Sequence, residues 1–257
     1  DSDTKGFDVK AILEEVFEAL SSSDAKAVKL LYAYYDCENL ISRHNGSSTY
    51  NPLGLLSSEE IDEELRQPSR LIAPLAKVVR DYVLPADEDG EEVDLSQPFA
   101  QALMSAYYNA CAASGSRLLR EWSAADRTIR NIVAATLARR QGVAAESVVV
   151  GNDAVAKSLS RSSAADFGLR TEIPYVEQLI AAVADEQNMV EKERKIDNIR
   201  WSVLSELSTF DYFDINAVIA YLVKVNMVAR WAALDAKVGR EMFNRLVSEL
   251  NDADINI

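Results

Sequence analysis

The chain has 257 residues, enough for one large domain or two to three small ones with a substantial core. Hydrophobic residues make up 48% of it, with only 9 Gly and 6 Pro, which excludes bulk disorder and collagen-like repetition. The formal net charge is −14, from 41 acids against 27 bases, so nucleic-acid backbones and anionic lipid surfaces repel it at long range.

Val9, Ile12, Leu13, Val16, Phe17 and Leu20 recur at the spacing of one helix face. The run Ser21 to Asp24 breaks that helix and caps a second, which reaches about His44 and stops at Gly46. Ser57 with Glu60 forms a capping box for a short acidic helix, and another helix is predicted from about Ser69 to Leu84. Ala86 to Asp94 (ADEDGEEVD) reads as an acidic linker. Ser96 and Pro98 open a helix towards Trp122 with a kink at Gly115, and Ser123 opens the next, ending at Gly142. Glu146 to Gly151 has the β character of a short run, too short to found a sheet. Short helices in a weakly ordered region are expected over Asp153 to Leu169. Pro174 begins a long helical pattern to about Thr209, Ile215 to Val225 continue it after a break, and Arg240 to Leu250 form a last amphipathic helix. No self-similarity of 33 to 47 residues is present, and the pattern as a whole is helix packed on helix, an all-α fold.

Patterns that carry chemistry are few. His44 is the only histidine, and it stands at a helix end where a cation suits the helix dipole. The glycines are scattered, without the phosphate-cradling GxxxxGK[ST] or GxGxxG spacing, and no Glu-x-x-His pair suggests a di-iron bundle. The acids of 87–94 fail the EF-hand alternation and read as a solvated loop. Glu59, Glu60, Glu63 and Glu64 read as the wet face of a helix. Cys37 and Cys111 stand alone, as reduced thiols do. No cofactor and no metal are therefore expected. Trp122, Trp201 and Trp231 read as core anchors. Between Arg117 and Arg140 six arginines face only Glu121 and Asp126. Two readings stay open for them: pairing with acidic helices of the same molecule, or a face that docks a partner protein. The first residues, Asp1 to Lys5, have neither the basic flank nor the apolar stretch of a signal peptide, and a start without Met implies residues upstream.

Two stretches go beyond pattern. Asp126-Arg-Thr-Ile-Arg-Asn131, continuing through Arg139-Arg140-Gln-Gly142, has an acid, Asn-[Leu/Ile], basic pair and Gly in that order. It resembles the C-type central-stalk component of archaeal-type (A/V-type) rotary ATPases, whose eukaryotic counterpart is the d-type component. The segment from Asp214 through Ala220-Tyr221-Leu222 to Arg230 is similar to the "AYL…R" helix of that family. Within it the chain looks most like the DUF2764 group found in V-type ATPase operons. The residues that carry this are Leu31 to Leu40 (LYAYYDCENL), Tyr50 to Leu56 (YNPLGLL), Lys195 to Trp201 (KIDNIRW) and Met227 to Trp231 (MVARW). Leu137 stands where a basic residue is usual.

The resemblance implies a single all-α region of this C/d type over 1–257. Its sub-bundles would be 1–85, 96–170 and 171–257, with the linker at 86–95, as three related helical repeats forming a funnel. Asn39-Leu40, Asn131-Ile132 and Asn216-Ala217 are faint candidates for the repeat marks. It implies a non-catalytic central-stalk component of a V-type ATPase, cytoplasmic and peripheral to the inner membrane. Its partners would be the central shaft subunits and the membrane proteolipid ring, with no nucleic acid, no direct membrane insertion and a monomer when isolated. Asn131, Arg139, Arg140 and Arg230 are the expected protein-contact residues. Two alternatives stand beside it: an unrelated all-helical adaptor, and an all-α enzyme whose site uses only carboxylate, Tyr and Arg groups.

Overall fold

The computed structural model describes residues 8–83, 95–184, 188–212 and 214–255. The acidic linker expected at 86–94 lies outside them. Helix occupies 73% of the chain, and the described residues contain no strand. In chain order the helices are α1 (Val9–Ala19), α2 (Ser22–His44), α3 (Ser58–Arg66), α4 (Ala73–Val83), α5 (Phe99–Ala112), α6 (Arg117–Gln141), α7 (Ala154–Arg161), α8 (Val176–Ala184), α9 (Met189–Leu207), α10 (Ile215–Leu234) and α11 (Ala236–Ile255).

The caps follow the local sequence. Asp8, Ser21, Ser57, Ser116, Asp153, Asn188 and Asp214 each accept a bond from a free backbone N–H of the turn they precede. Ser57 and Glu60 complete the expected capping box. Gly142 ends α6 at φ +70°, the left-handed conformation that a Cβ disfavours.

Several boundaries differ from the sequence reading. The helix expected to run from Ser96 through Trp122 is cut at 113–116, because Ser116 caps Leu119 N and restarts the chain as α6. Ser123 is therefore no helix start; it is buried in mid-helix and donates to Arg120 O. The pattern after Pro174 is two helices, α8 and α9, not one. Glu146–Gly151 begins inside a 3₁₀ turn, Ala145–Ser147, and has no strand. The stretch after Asp153, read as weakly ordered, is well packed: Leu159, Phe167 and Leu169 are buried, and Phe167 takes φ +56°. Glu64 is not on a wet face. Its carboxylate is fully covered by the 67–71 loop and accepts from the backbone N–H groups of Ser69, Arg70 and Leu71.

Two apolar clusters fill the interior. The larger joins α1 to α5, the first turns of α6, the end of α9, and α10 and α11, so the first and last thirds of the chain share one core. Trp122, Trp201 and Trp231 all lie in it, as core anchors should. The smaller cluster is built from the rest of α6 with α7, α8 and the start of α9. The helix α10 is long and apolar enough to cross a membrane by composition alone. Half of that stretch is buried inside the protein, with Leu222, Val225, Val228 and Trp231 turned into the core, which accounts for its apolarity.

Candidate functional site

The long helices α2, α6, α9 and α10 converge, with the loop at 51–53, around a cavity of about 670 Å³. Leu31, Tyr35, Tyr107, Trp122, Val223 and Met227 supply its apolar wall. Its charged wall is Glu38, Asp126, Arg130, Glu193, Asp197, Arg200 and Arg230. Among the lining residues Pro52, Arg230, Ala233 and Leu234 are exposed and mark the mouth, Leu234 at 62%.

The charges are wired in series. Tyr108 donates to Asp126 at 2.9 Å, and Arg200 bridges Asp126 at 3.1 Å and Asp197 at 2.9 Å. Asp197, 2% exposed, also accepts from Arg230 at 2.7 Å and from the Trp231 indole at 2.9 Å. Arg230 continues to Glu193 at 2.6 Å. A buried carboxylate with one partner would carry a large desolvation cost; three donors to Asp197 offset it. Burial alone would depress Arg200, but the Asp126 and Asp197 carboxylates outweigh it and raise its pKa. On the α2 side, Tyr34 donates to Glu38 at 2.8 Å and Asn51 at 3.0 Å, while burial pushes the Glu38 carboxyl up despite the Asn51 bond.

Two asparagines hold loops to the long helices in the same way. Asn39 accepts from Asn51 N at 2.6 Å and donates to Asn51 O at 3.0 Å. Asn131, 92 positions later, accepts from Val150 N at 2.9 Å and donates to Val150 O at 2.8 Å. Each amide thus mimics a strand partner for one residue of the loop that follows its helix. The two surroundings match: helices of 23, 9 and 11 residues follow one another from α2, and of 25, 8 and 9 from α6. Asn216 serves a different end. Its carbonyl accepts from Leu118 N and Ser116 Oγ at the start of α6. Beside Asn39, Asp36 accepts from Leu56 N at 3.0 Å, and Gly54 approaches so closely that a Cβ would sit 2.7 Å from Asp36 Oδ1.

The four sequence-predicted contact residues all bond within the molecule. Asn131 is buried as the clamp just described. Arg139 donates to Ser162 O and Ala164 O, both at 2.7 Å, with its guanidinium 3.8 Å from the centre of the Phe167 ring. Arg140 donates to Val183 O at 2.9 Å. Of the four, Arg230 alone lines the cavity. Three more arginines of α6 behave likewise: Arg117 pairs with Glu121 and Asp211, Arg120 donates to Ser114 O, and Arg127 pairs with Asp153.

A family profile described as "Protein of unknown function (DUF2764)" matches residues 1–254. The chain belongs to the DUF2764 family. No curated protein and no solved structure matches it. In this DUF2764 protein the stretches picked out in the sequence come together in space. Glu38 of LYAYYDCENL, Asn51 of YNPLGLL, Asp126 and Arg130 of the α6 segment, Asp197 of KIDNIRW and Arg230 of MVARW all line the one cavity. Sequence reasoning missed Glu38, Asp126, Arg130 and Arg200 as site residues. No local signal sets these four apart, since other charges stand beside them on the same helices, as Arg127 does beside Asp126.

Proposed function

We propose that this DUF2764 protein is a non-catalytic coupling component of a V/A-type rotary ATPase. It would join the cytoplasmic shaft to the membrane proteolipid ring during ion transport. The observation that carries the reading is the repeated asparagine clamp on α2 and α6. Coupling components of this type are expected to be built from related helical bundles, and a duplicated helix-loop-helix unit with the same clamp is what such a repeat requires. The cavity between the long helices supports it further. Its exposed apolar rim at Pro52, Ala233 and Leu234 suits the end of an entering helix, and its paired charges keep the interior polar without a catalytic pair of free carboxylates.

The test is reconstitution with the shaft subunits of a V/A-type ATPase from the same organism. Wild type should bind the shaft, and Leu234→Asp, which places a charge on the exposed rim, should weaken binding about tenfold or more. Wild-type protein that binds neither shaft nor proteolipid ring would refute the reading.

A second reading has one observation in its favour. Glu38, in the cavity wall beside the Tyr34 hydroxyl, has a raised pKa, as a general acid or base does. Against an enzyme, Asp126, Glu193 and Asp197 are each bonded to an arginine.

A further inference from the structure

Among the charged groups of the cavity, Arg130 is the exception. Glu38, Asp126, Glu193, Asp197, Arg200 and Arg230 are all hydrogen-bonded within the protein. Arg130 meets Glu38 at 3.6 Å, beyond hydrogen-bond distance, and lies over the Tyr34 ring at 5.1 Å. Among the described residues it makes no hydrogen bond, although a guanidinium carries five donors in a rigid fork. Glu38 does not depend on it, being held by Tyr34 and Asn51 already. Arg130 also borders a second hollow of about 550 Å³, shared with Glu38, Asn51 and Pro52, so its side chain lines both spaces. Of its side chain 39% is accessible. A cation that meets its nearest carboxylate only at 3.6 Å, with free donors in an accessible space, can take a second anionic partner.

We propose that the cavity is a binding site for an organic carboxylate, which Arg130 engages with its unused donors while the apolar wall receives the rest of the ligand. The fork of a guanidinium matches a carboxylate bidentately, and the Tyr34 ring 5.1 Å away supports the cation. The volume, and an apolar wall facing charged groups that are mostly paired with one another, suit a ligand of drug-like size. The inference concerns the isolated chain and does not need the rotary-ATPase reading.

The same carboxylate chemistry could come from a free acid or from an acidic side chain of a partner's apolar helix, so the experiment has two arms. In the first, naphthalene-2-carboxylate and the isosteric naphthalene-2-carboxamide are titrated calorimetrically into wild type, Arg130→Gln and Glu38→Gln. In the second, an apolar helical peptide ending in Glu is compared with the same peptide ending in Gln. Wild type should prefer the carboxylate about tenfold or more in at least one arm, which then names the source. Arg130→Gln should abolish the preference while leaving the neutral probe's affinity unchanged. Glu38→Gln should increase the preference by removing the neighbouring negative charge, a gain that a merely structural role for Arg130 would not produce. Thermal unfolding of Arg130→Gln within a few degrees of wild type shows that the comparison is made on folded protein. Equal binding of charged and neutral probes in both arms, no binding in either, or a preference that survives Arg130→Gln overturns the proposal.

Discussion

Replacing Asn131 by Ala removes both bonds of the second loop clamp at once. The residue is 3% exposed, and its amide satisfies the N–H and the C=O of Val150 at 2.9 and 2.8 Å. An unmet buried backbone group costs about 1–3 kcal/mol, and Val150 is partly exposed, so water relieves some of that. A loss of about 2–4 kcal/mol follows from the two groups together. In a domain of this size each kcal/mol moves the melting temperature by about 2–4 °C, so a drop of about 5–15 °C is expected. Asn131→Asp sharpens the test. A carboxylate can still accept from Val150 N but faces the Val150 carbonyl with no proton, so it should be no better than Ala at neutral pH. Urea unfolding of the three proteins measures the differences. A variant within about 1 kcal/mol of wild type would refute the clamp, and with it the structural equivalence of α2 and α6.

Other expectations follow from single contacts. Charge reversal at Arg139 should lower stability by about 1–3 kcal/mol in thermal unfolding, because both its bonds go to backbone carbonyls of the 162–164 turn; an unchanged melting temperature would return Arg139 to the docking reading. Gly239→Val should push α11 from α10, since even a Cβ there would lie 2.6 Å from the Ala232 backbone, and a large stability loss in urea is expected. Asp36 is raised to about 6, chiefly by burial, so it binds its proton more readily folded than unfolded. That contribution to stability is complete below about pH 4 and is lost as pH rises through about 6. Unfolding of Asp36→Asn compared with wild type at pH 5, 6 and 7 should flatten this slope. Glu64 has the opposite sign. Burial would raise it, but the N–H groups of Arg70, Ser69 and Leu71 hold it below the usual range, so its contribution is present above about pH 4.3 and is lost as pH falls below. Glu64→Gln should remove that acid-side loss while lowering stability at pH 7.

The helices were legible because their apolar spacing and caps are local: Ser57 with Glu60 and Gly142 at φ +70° behave as their sequence foretells. Failures lay where local signals compete with tertiary ones. Ser116 and Ser123 are equally good caps by composition, and tertiary contacts select the first: Leu118 and Leu119 pack into the core, and Asn216 bonds Ser116 Oγ and Leu118 N. Glu64 looks like its neighbours Glu60 and Glu63 until the 67–71 loop folds over it. The site was harder still. Its groups come from α2, α6, α9 and α10, far apart in sequence, and a charge bonded across helices carries no local mark. Arginine-rich composition left pairing within the molecule and a docking face both open for α6, and Arg117, Arg127, Arg139 and Arg140 are fasteners to neighbouring segments. The asparagine marks were visible in outline, but that Asn39 and Asn131 do the same work, and Asn216 another, follows only from their bonds.

The central proposal is tested most directly by the composition of the assembled complex. The rotary ATPase is purified from native membranes through a tag on its proteolipid ring, and its components are counted by quantitative mass spectrometry. One copy of this chain per complex is expected, lost together with the shaft when Leu234 is changed to Asp. An intact complex of ring and shaft that contains none of this chain would contradict the coupling role.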